Sequence, residues 1–222
     1  MSQLADYILN KLADVFDEAA VTCEHARKSY EEAELKRVLY GAYNLLDITL
    51  DVMEDKITSL DQDTLAFLAW VTKRLIEQPD FEKGMFELME QVNDHLKTEA
   101  FSIFMLDEPK EELVVKYAAG PVSNKVFGLR MPVGQGVVGW VVKHTETLIV
   151  PAADSDPRFF SGIDALTGFV TRSILCVPIA REECVLGAIE VLNKTTGDFH
   201  DEDVKLLEGV SNIIANCMIG SC

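Results

Sequence analysis

Chemistry in this chain would come from its thiols, its imidazoles and one glycine-rich run. The five cysteines are Cys23, Cys176, Cys184, Cys217 and Cys222. An odd number with no CxxC pair argues against a disulfide framework. The four histidines, His25, His95, His144 and His200, form no zinc-ligand spacing with the cysteines. Gly134-Gln135-Gly136-Val137-Val138-Gly139 reproduces the GxGxxG pattern of dinucleotide-binding proteins. That fingerprint requires a parallel strand leading into the first glycine and a βαβ unit around it. Here Pro132 stands two residues upstream and the flanking segments read as antiparallel. The run is therefore expected to be a glycine-supported helix entry whose first amides face a cavity. No carboxylate pair, Ser/His/Asp set or GxxxxGK[ST] loop is evident, so a catalytic centre is not expected.

The elements that position these residues follow from hydrophobic period. Leu4, Ile8, Leu12, Val15 and Ala19 share one helical face, and Leu35 to Ile57 carries a second stripe. Ser59 and Asp61 are candidate caps for a helix bearing Leu65, Leu68, Val71 and Leu75. These stripes need partners, so residues 1–78 are expected to form a helical bundle that serves as a dimerisation segment. Pro79-Asp80 marks the boundary to a second domain, 79–222. There Phe81, Met85, Leu88, Met89, Val92 and Leu96 predict a helix to about Lys97.

Strand signals follow at Ala100–Leu106 and Leu113–Ala118, around a turn at Asp107–Glu111. Others are Leu148–Val150, Ser173–Ile179 and Val185–Leu192, with Ala180–Cys184 connecting the last two. Helices are expected near Gly136–His144 and Asp156–Leu166, and from Asp201 to Met218. The pattern predicts an α+β fold with a mostly antiparallel sheet.

The formal net charge is −17, and no Lys/Arg stripe breaks it, so nucleic-acid binding is not expected. No apolar run reaches membrane-spanning length, and the amino terminus lacks the features of a secretory signal. The expected setting is cytoplasmic, without membrane contact.

Five segments in order carry a resemblance: FSIFMLD at 101–107, MPVGQGVVGWVV at 131–142, LIVPAADSDPRFF at 148–160, TGFVTRSILCVPI at 167–179 and GAIEVLNK at 187–194. Together they resemble a GAF domain, and Asp154–Glu190 looks most like the regulatory GAF domains of cyclic-nucleotide phosphodiesterases. The resemblance implies a sheet of about six strands flanked by helices, holding a small molecule between sheet and lid. Carried over residue by residue, it implies a site of Ser102, the amides of Val137 and Val138, Asp164, Thr167, Thr171 and Glu190. No cofactor is assigned. The implied ligand class includes cyclic nucleotides, and the implied mechanism is a ligand-dependent lid position reported through terminal helices of a homodimer to a partner in trans. The family's stacking aromatic falls at Ala118 and Ala119 here, with Tyr117 on the opposite face of the strand. The family's Lys–Asp brace is expected between Lys194 and Asp201.

Two alternatives accompany the sensor reading. One is a ligand-free GAF dimerisation module. The other follows GAF-fold proteins that act as thiol-dependent reductases of free methionine sulfoxide, which need an activated cysteine and a resolving one. Cys176 lies in an apolar run and reads as buried and unactivated. Cys184 sits at a hairpin tip without an evident resolving partner, and Cys217 and Cys222 lie at the terminus.

Overall fold

A computed structural model of the chain describes residues 62–77, 81–107, 109, 111–181 and 184–218. The chain divides between Pro79 and Asp80 into two compact units. The helical stripes expected before residue 58, the caps Ser59 and Asp61, and Asp80 lie outside the described residues. In the first unit, α1 (Gln62–Glu77) buries Leu68, Val71 and Leu75 of its expected stripe.

The second unit begins with α2 (Phe81–Leu96), whose Met85, Leu88, Met89, Val92 and Leu96 are all buried. Its strands are β1 (Thr98–Asp107), β2 (Glu112–Ala119), β3 (Arg130–Pro132), β4 (Leu148–Val150), β5 (Ile174–Arg181) and β6 (Cys184–Lys194). They form a six-stranded sheet in the order β3-β2-β1-β6-β5-β4, and every neighbouring pair is antiparallel. This is the six-stranded sheet flanked by helices that the resemblance implies.

The helices between the strands are α3 (Ser123–Val126), α4 (Gly136–His144) and α5 (Gly162–Thr167), and α6 (Asp201–Cys217) closes the unit. On one face, α2 packs on β1 and β2 while α6 packs on β5 and β6. The Ser211 hydroxyl of α6 donates to the Pro178 carbonyl at 2.6 Å. On the other face α4 covers β5 and β6. Because both faces are covered, the central strands read as near-continuous apolar runs rather than alternating ones. Phe101, Ile103 and Phe104 of β1 and Ile174–Val177 of β5 are all buried.

Several expectations need correction. The stretch 156–161 is irregular, and the helix begins only at Gly162. The Asp156 carboxylate accepts from the Arg158 amide at 2.9 Å and from its guanidinium at 2.6 Å. That local turn competes with helical hydrogen bonding, and Pro157 lacks an amide donor. Strand β3 and helix α3 are additions to the expected elements: Arg130-Met131-Pro132 lacks the apolar run that marks the equally short β4, and four residues are too few to show a helical period. The connection between β5 and β6 is tighter than expected, since Arg181 and Cys184 are themselves paired.

Candidate functional site

The glycine-rich run forms a turn followed by a helix start. Gly134 (φ +89°) and Gly136 (φ +70°) take left-handed backbone that glycine adopts without strain. A Cβ on Gly139 would stand 2.8 Å from the Gly134 amide nitrogen, so the loop closes against the helix only because Gly139 has no side chain. The strand before this loop is β3, antiparallel to β2. The βαβ context of a dinucleotide fingerprint is therefore absent around it.

Helix α4 starts at a cavity between the sheet and the segments 119–138 and 159–171. All seven residues singled out from the sequence line it: Ser102, Val137, Val138, Asp164, Thr167, Thr171 and Glu190. The hollow with its open mouth is about 640 Å³, but centres of water-sized molecules fit in only about 60 Å³ of it. The enclosed part therefore has room for a few waters, and a larger guest requires the lid to move outward.

The floor of the cavity is set by strand register. Ala118 of β2, Ser102 of β1, Glu190 of β6 and Cys176 of β5 are successive cross-strand partners in one row. Ser102 is 9% exposed, and no group among the described residues bonds its hydroxyl. Glu190 is half-buried, the surface it keeps faces the cavity it lines, and its carboxyl likewise has no hydrogen-bond partner among the described residues. Burial, and secondarily the charge of Asp164, push the Glu190 carboxyl up to about 7.

The lid is tied down by its own polar groups. Both Asp164 oxygens accept from Thr171, one from the amide at 2.7 Å and one from the hydroxyl at 2.8 Å. The Thr167 hydroxyl donates to the Ile163 carbonyl at 2.9 Å and accepts from the Phe169 amide at 3.2 Å. Lys125 of α3 donates to the Thr167 carbonyl at 2.7 Å, joining the two short helices at the mouth. Behind the lid, Asn193 receives the Arg172 and Ser173 amides at 2.6 and 3.2 Å and donates to Glu99 and the Val170 carbonyl at 2.8 Å each.

Sequence reasoning missed the aromatic side of the cavity. Ala119 lines it, while Tyr117 meets the Phe86 ring of α2 edge-on at 5.7 Å, on the other face of the sheet. The rings that do line it are Phe104 of β1 and, from the lid, Phe159, Phe160 and Phe169. Phe159 and Phe160 stand inside a recognised motif, but irregular segments have no period to show which way a ring points. The brace to α6 is also corrected. Lys194 pairs with Asp203 rather than Asp201, and Asp203 also accepts from the His200 amide at 2.9 Å. With the helix starting at Asp201, Asp203 is the first-turn carboxylate that reaches both groups.

Among the described residues no cysteine lines the cavity. Cys176 lies one strand beyond Glu190, and burial followed by the Glu190 charge pushes its thiol well above the usual range. A thiol in that state is a poor nucleophile. Cys184 is disulfide-bonded, which corrects its reading as a thiol without a partner. Among the described residues no group of histidine, cysteine and carboxylate side chains is arranged to hold a metal, and no helix is long and apolar enough to cross a membrane.

Comparison with known proteins follows the same lines. A dual 3',5'-cyclic-AMP and -GMP phosphodiesterase 11A from Takifugu rubripes is 37% identical over 83 residues, 36% of this chain and 9% of that protein. A probable 3',5'-cyclic phosphodiesterase, pde-5, from Caenorhabditis elegans is 27% identical over 164 residues, 74% of this chain and 21% of that protein. The chain thus spans under a quarter of the length of either relative. Among solved structures, the GAF domain of an Acinetobacter phosphoenolpyruvate-protein phosphotransferase superposes with a TM-score of 0.62 at 21% identity, covering 71% of this chain and 94% of that one. A free methionine-R-sulfoxide reductase from Neisseria meningitidis superposes with a TM-score of 0.59 at 17% identity, covering 72% and 92%. At such identities these structures share the fold alone. The family model for the GAF domain matches residues 80–218, so this chain belongs to the GAF domain family, a family of small-molecule-sensing signalling domains.

Proposed function

We propose that this chain is a regulatory sensor that binds a small organic molecule in the cavity between sheet and lid. The observation that carries the reading is the adjacent Ser102 hydroxyl and Glu190 carboxyl. Both face the cavity and neither is bonded by the described protein. Groups buried in this way are normally satisfied, so an unsatisfied pair calls for a partner from outside the chain. Val137 and Val138 contribute helix-start amides, and Asp164, Thr167 and Thr171 hold the lid whose position the ligand would select.

In this reading residues 1–78 are the helical dimerisation segment and 79–222 the sensory domain. Signal passes through the terminal helices of a homodimer to a cytoplasmic partner in trans. The names of the two relatives bring cyclic nucleotides into the set of ligands to be tested. Catalysis is not part of the proposal, given the protonated, buried state of the Cys176 thiol.

A thermal-shift screen of nucleotides, amines, amino acids and small heterocycles against the whole chain tests it. The expected result is a hit whose stabilisation is lost in Ser102→Ala and Glu190→Gln. A screen in which nothing shifts the melting temperature removes the sensor reading and leaves the ligand-free dimerisation module.

A further inference from the structure

We infer that the cavity is built for a cationic nitrogen, an ammonium or amidinium carried on an apolar body, which pairs with Glu190 and Ser102 on its floor. The inference rests on the sensor reading above and adds the sign of the ligand's charge.

Among the described residues that line the cavity there is no lysine, arginine or histidine. The nearest cation at the mouth, Lys125, is committed to the Thr167 carbonyl at 2.7 Å. Two carboxylates do line it, Glu190 from the floor and Asp164 from the lid, and they are close enough to influence one another. Asp164 is engaged by both donors of Thr171, whereas Glu190 is engaged by none of the described groups. Ser102, opposite Glu190 in the strand register and nine-tenths buried, supplies an oxygen that can accept from the same guest.

The opposing contribution is the start of α4. Its amides line the cavity and carry the equivalent of about half a positive charge. Set against two carboxyl groups, one hydrogen-bonded by Thr171 and one without a partner among the described residues, that fraction leaves the interior negative when both are ionised. The remaining walls suit an apolar body. Phe104, Phe159, Phe160 and Phe169 line the cavity, and aromatic rings also attract cations.

The pH dependence of binding is the readout that reports the sign of the ligand's charge. The titratable or charged groups around Glu190 are Asp164 from α5 and Cys176 from β5, with only Ser102 facing it from β1 and uncharged residues from α4. Cys176 holds its proton well above neutrality and does not enter. A cation pairs with the ionised carboxyl, so its binding expels a proton. Its affinity therefore rises about tenfold per pH unit below pH 7 and levels off above it. An anion would require the protonated carboxyl and show the opposite slope.

The experiment measures binding of benzamidinium, benzoate and cyclic GMP to the full chain by calorimetry between pH 5.5 and 8. Benzamidinium stays protonated throughout that range. The expected result is benzamidinium binding that strengthens with pH, with affinity at pH 8 lowered at least tenfold and the slope abolished in Glu190→Gln. Ser102→Ala should weaken it several-fold, and melting curves confirm that both variants fold. The inference is overturned if benzamidinium does not bind, or binds Glu190→Gln as well as the native chain. It is also overturned if benzoate or cyclic GMP binds more tightly and weakens as pH rises. Those outcomes leave the sensor reading standing as long as the broad screen yields any Glu190-dependent or Ser102-dependent ligand.

Discussion

Asp164 and Thr171 form a two-bond latch across the lid, the carboxylate on α5 receiving both the amide and the hydroxyl of the residue that leads into β5. Hydrogen bonds to a charged group contribute about 1.5–3 kcal/mol, so the latch is a leading local restraint on lid position. Thr171→Val removes the hydroxyl bond and keeps the amide bond, while Asp164→Ala removes both. Amide hydrogen exchange over residues 162–171 should therefore speed up in both variants, more in Asp164→Ala, while the β1 and β6 amides stay protected. Equal exchange in the lid of the native chain and Asp164→Ala would show that other contacts hold it.

Glu190 makes stability depend on pH in an unusual direction. Its carboxyl titrates near 7 when folded against 4.5 in the unfolded chain, so between those values the folded state holds more protons. Stability then falls as pH rises from about 4.5 to 7 and is flat beyond. Glu190→Gln removes the buried charge and is expected to raise the midpoint of urea unfolding at pH 8. At 1.36 kcal/mol per pKa unit, discounted for hydration through the open mouth, the gain is on the order of 1–3 kcal/mol. At pH 4.5 the native chain and the variant should unfold together. A variant less stable at pH 8 would mean that the carboxylate has a partner in the folded protein.

How much of this was legible in the sequence depends on length and register. α2, α4, α6 and the central strands carry long apolar runs whose period or burial is unmistakable, and each lies within a residue or two of its expected bounds. β3 lacks the apolar run that marks β4, α3 is too short to show a period, and the Asp156–Arg158 turn overrides the helical look of 156–161. The polar cavity residues Ser102, Thr167, Thr171 and Glu190 were legible through the motifs that contain them, and Asp164 through the wider resemblance of Asp154–Glu190. That Glu190 stands between Ser102 and Cys176 was not, because it follows from the pairing of β1, β6 and β5 rather than from any spacing along the chain. The rings of Phe159, Phe160 and Phe169 were hidden for another reason: they stand in irregular lid segments, where no period shows which way a ring points.

Asn193 combines backbone and side-chain demands at one position. It is 1% exposed with φ +58°, and its amide serves four partners behind the lid. Asn193→Ala leaves buried donors unmet and puts a residue that tolerates left-handed backbone less well than asparagine at φ +58°, an expected loss of about 3–5 kcal/mol in urea unfolding. Asn193→Gly relieves only the backbone, so it should recover roughly 1 kcal/mol of that loss. Asn193, with Arg172 behind it, also holds the Glu99 carboxyl below the usual range. That part of the stability is present above 4.5 and is lost as pH falls through the lower folded value. Either variant should show a weaker decline in acid. Equal losses for alanine and glycine would mean that the side-chain network alone sets the effect.

The brace between sheet and α6 separates two neighbouring aspartates. Lys194 and Asp203 are paired with side chains only 14% and 12% exposed, whereas Asp201 is exposed at the start of α6. Removing one partner of a largely buried pair strands the other charge, at a cost of about 3–5 kcal/mol. Asp203 also receives the His200 amide, so Asp203→Ala loses a helix-start bond as well. Asp201→Ala gives up only an exposed carboxylate at a helix start, about 0.3–1 kcal/mol. Urea unfolding of the two variants should differ by at least 2 kcal/mol, and the double variant Lys194→Met/Asp203→Leu should recover much of the Asp203→Ala loss by leaving no charge unpaired. If Asp201→Ala proves as damaging as Asp203→Ala, the lysine is shared between them. The brace would then begin two residues earlier, where the sequence alone had placed it.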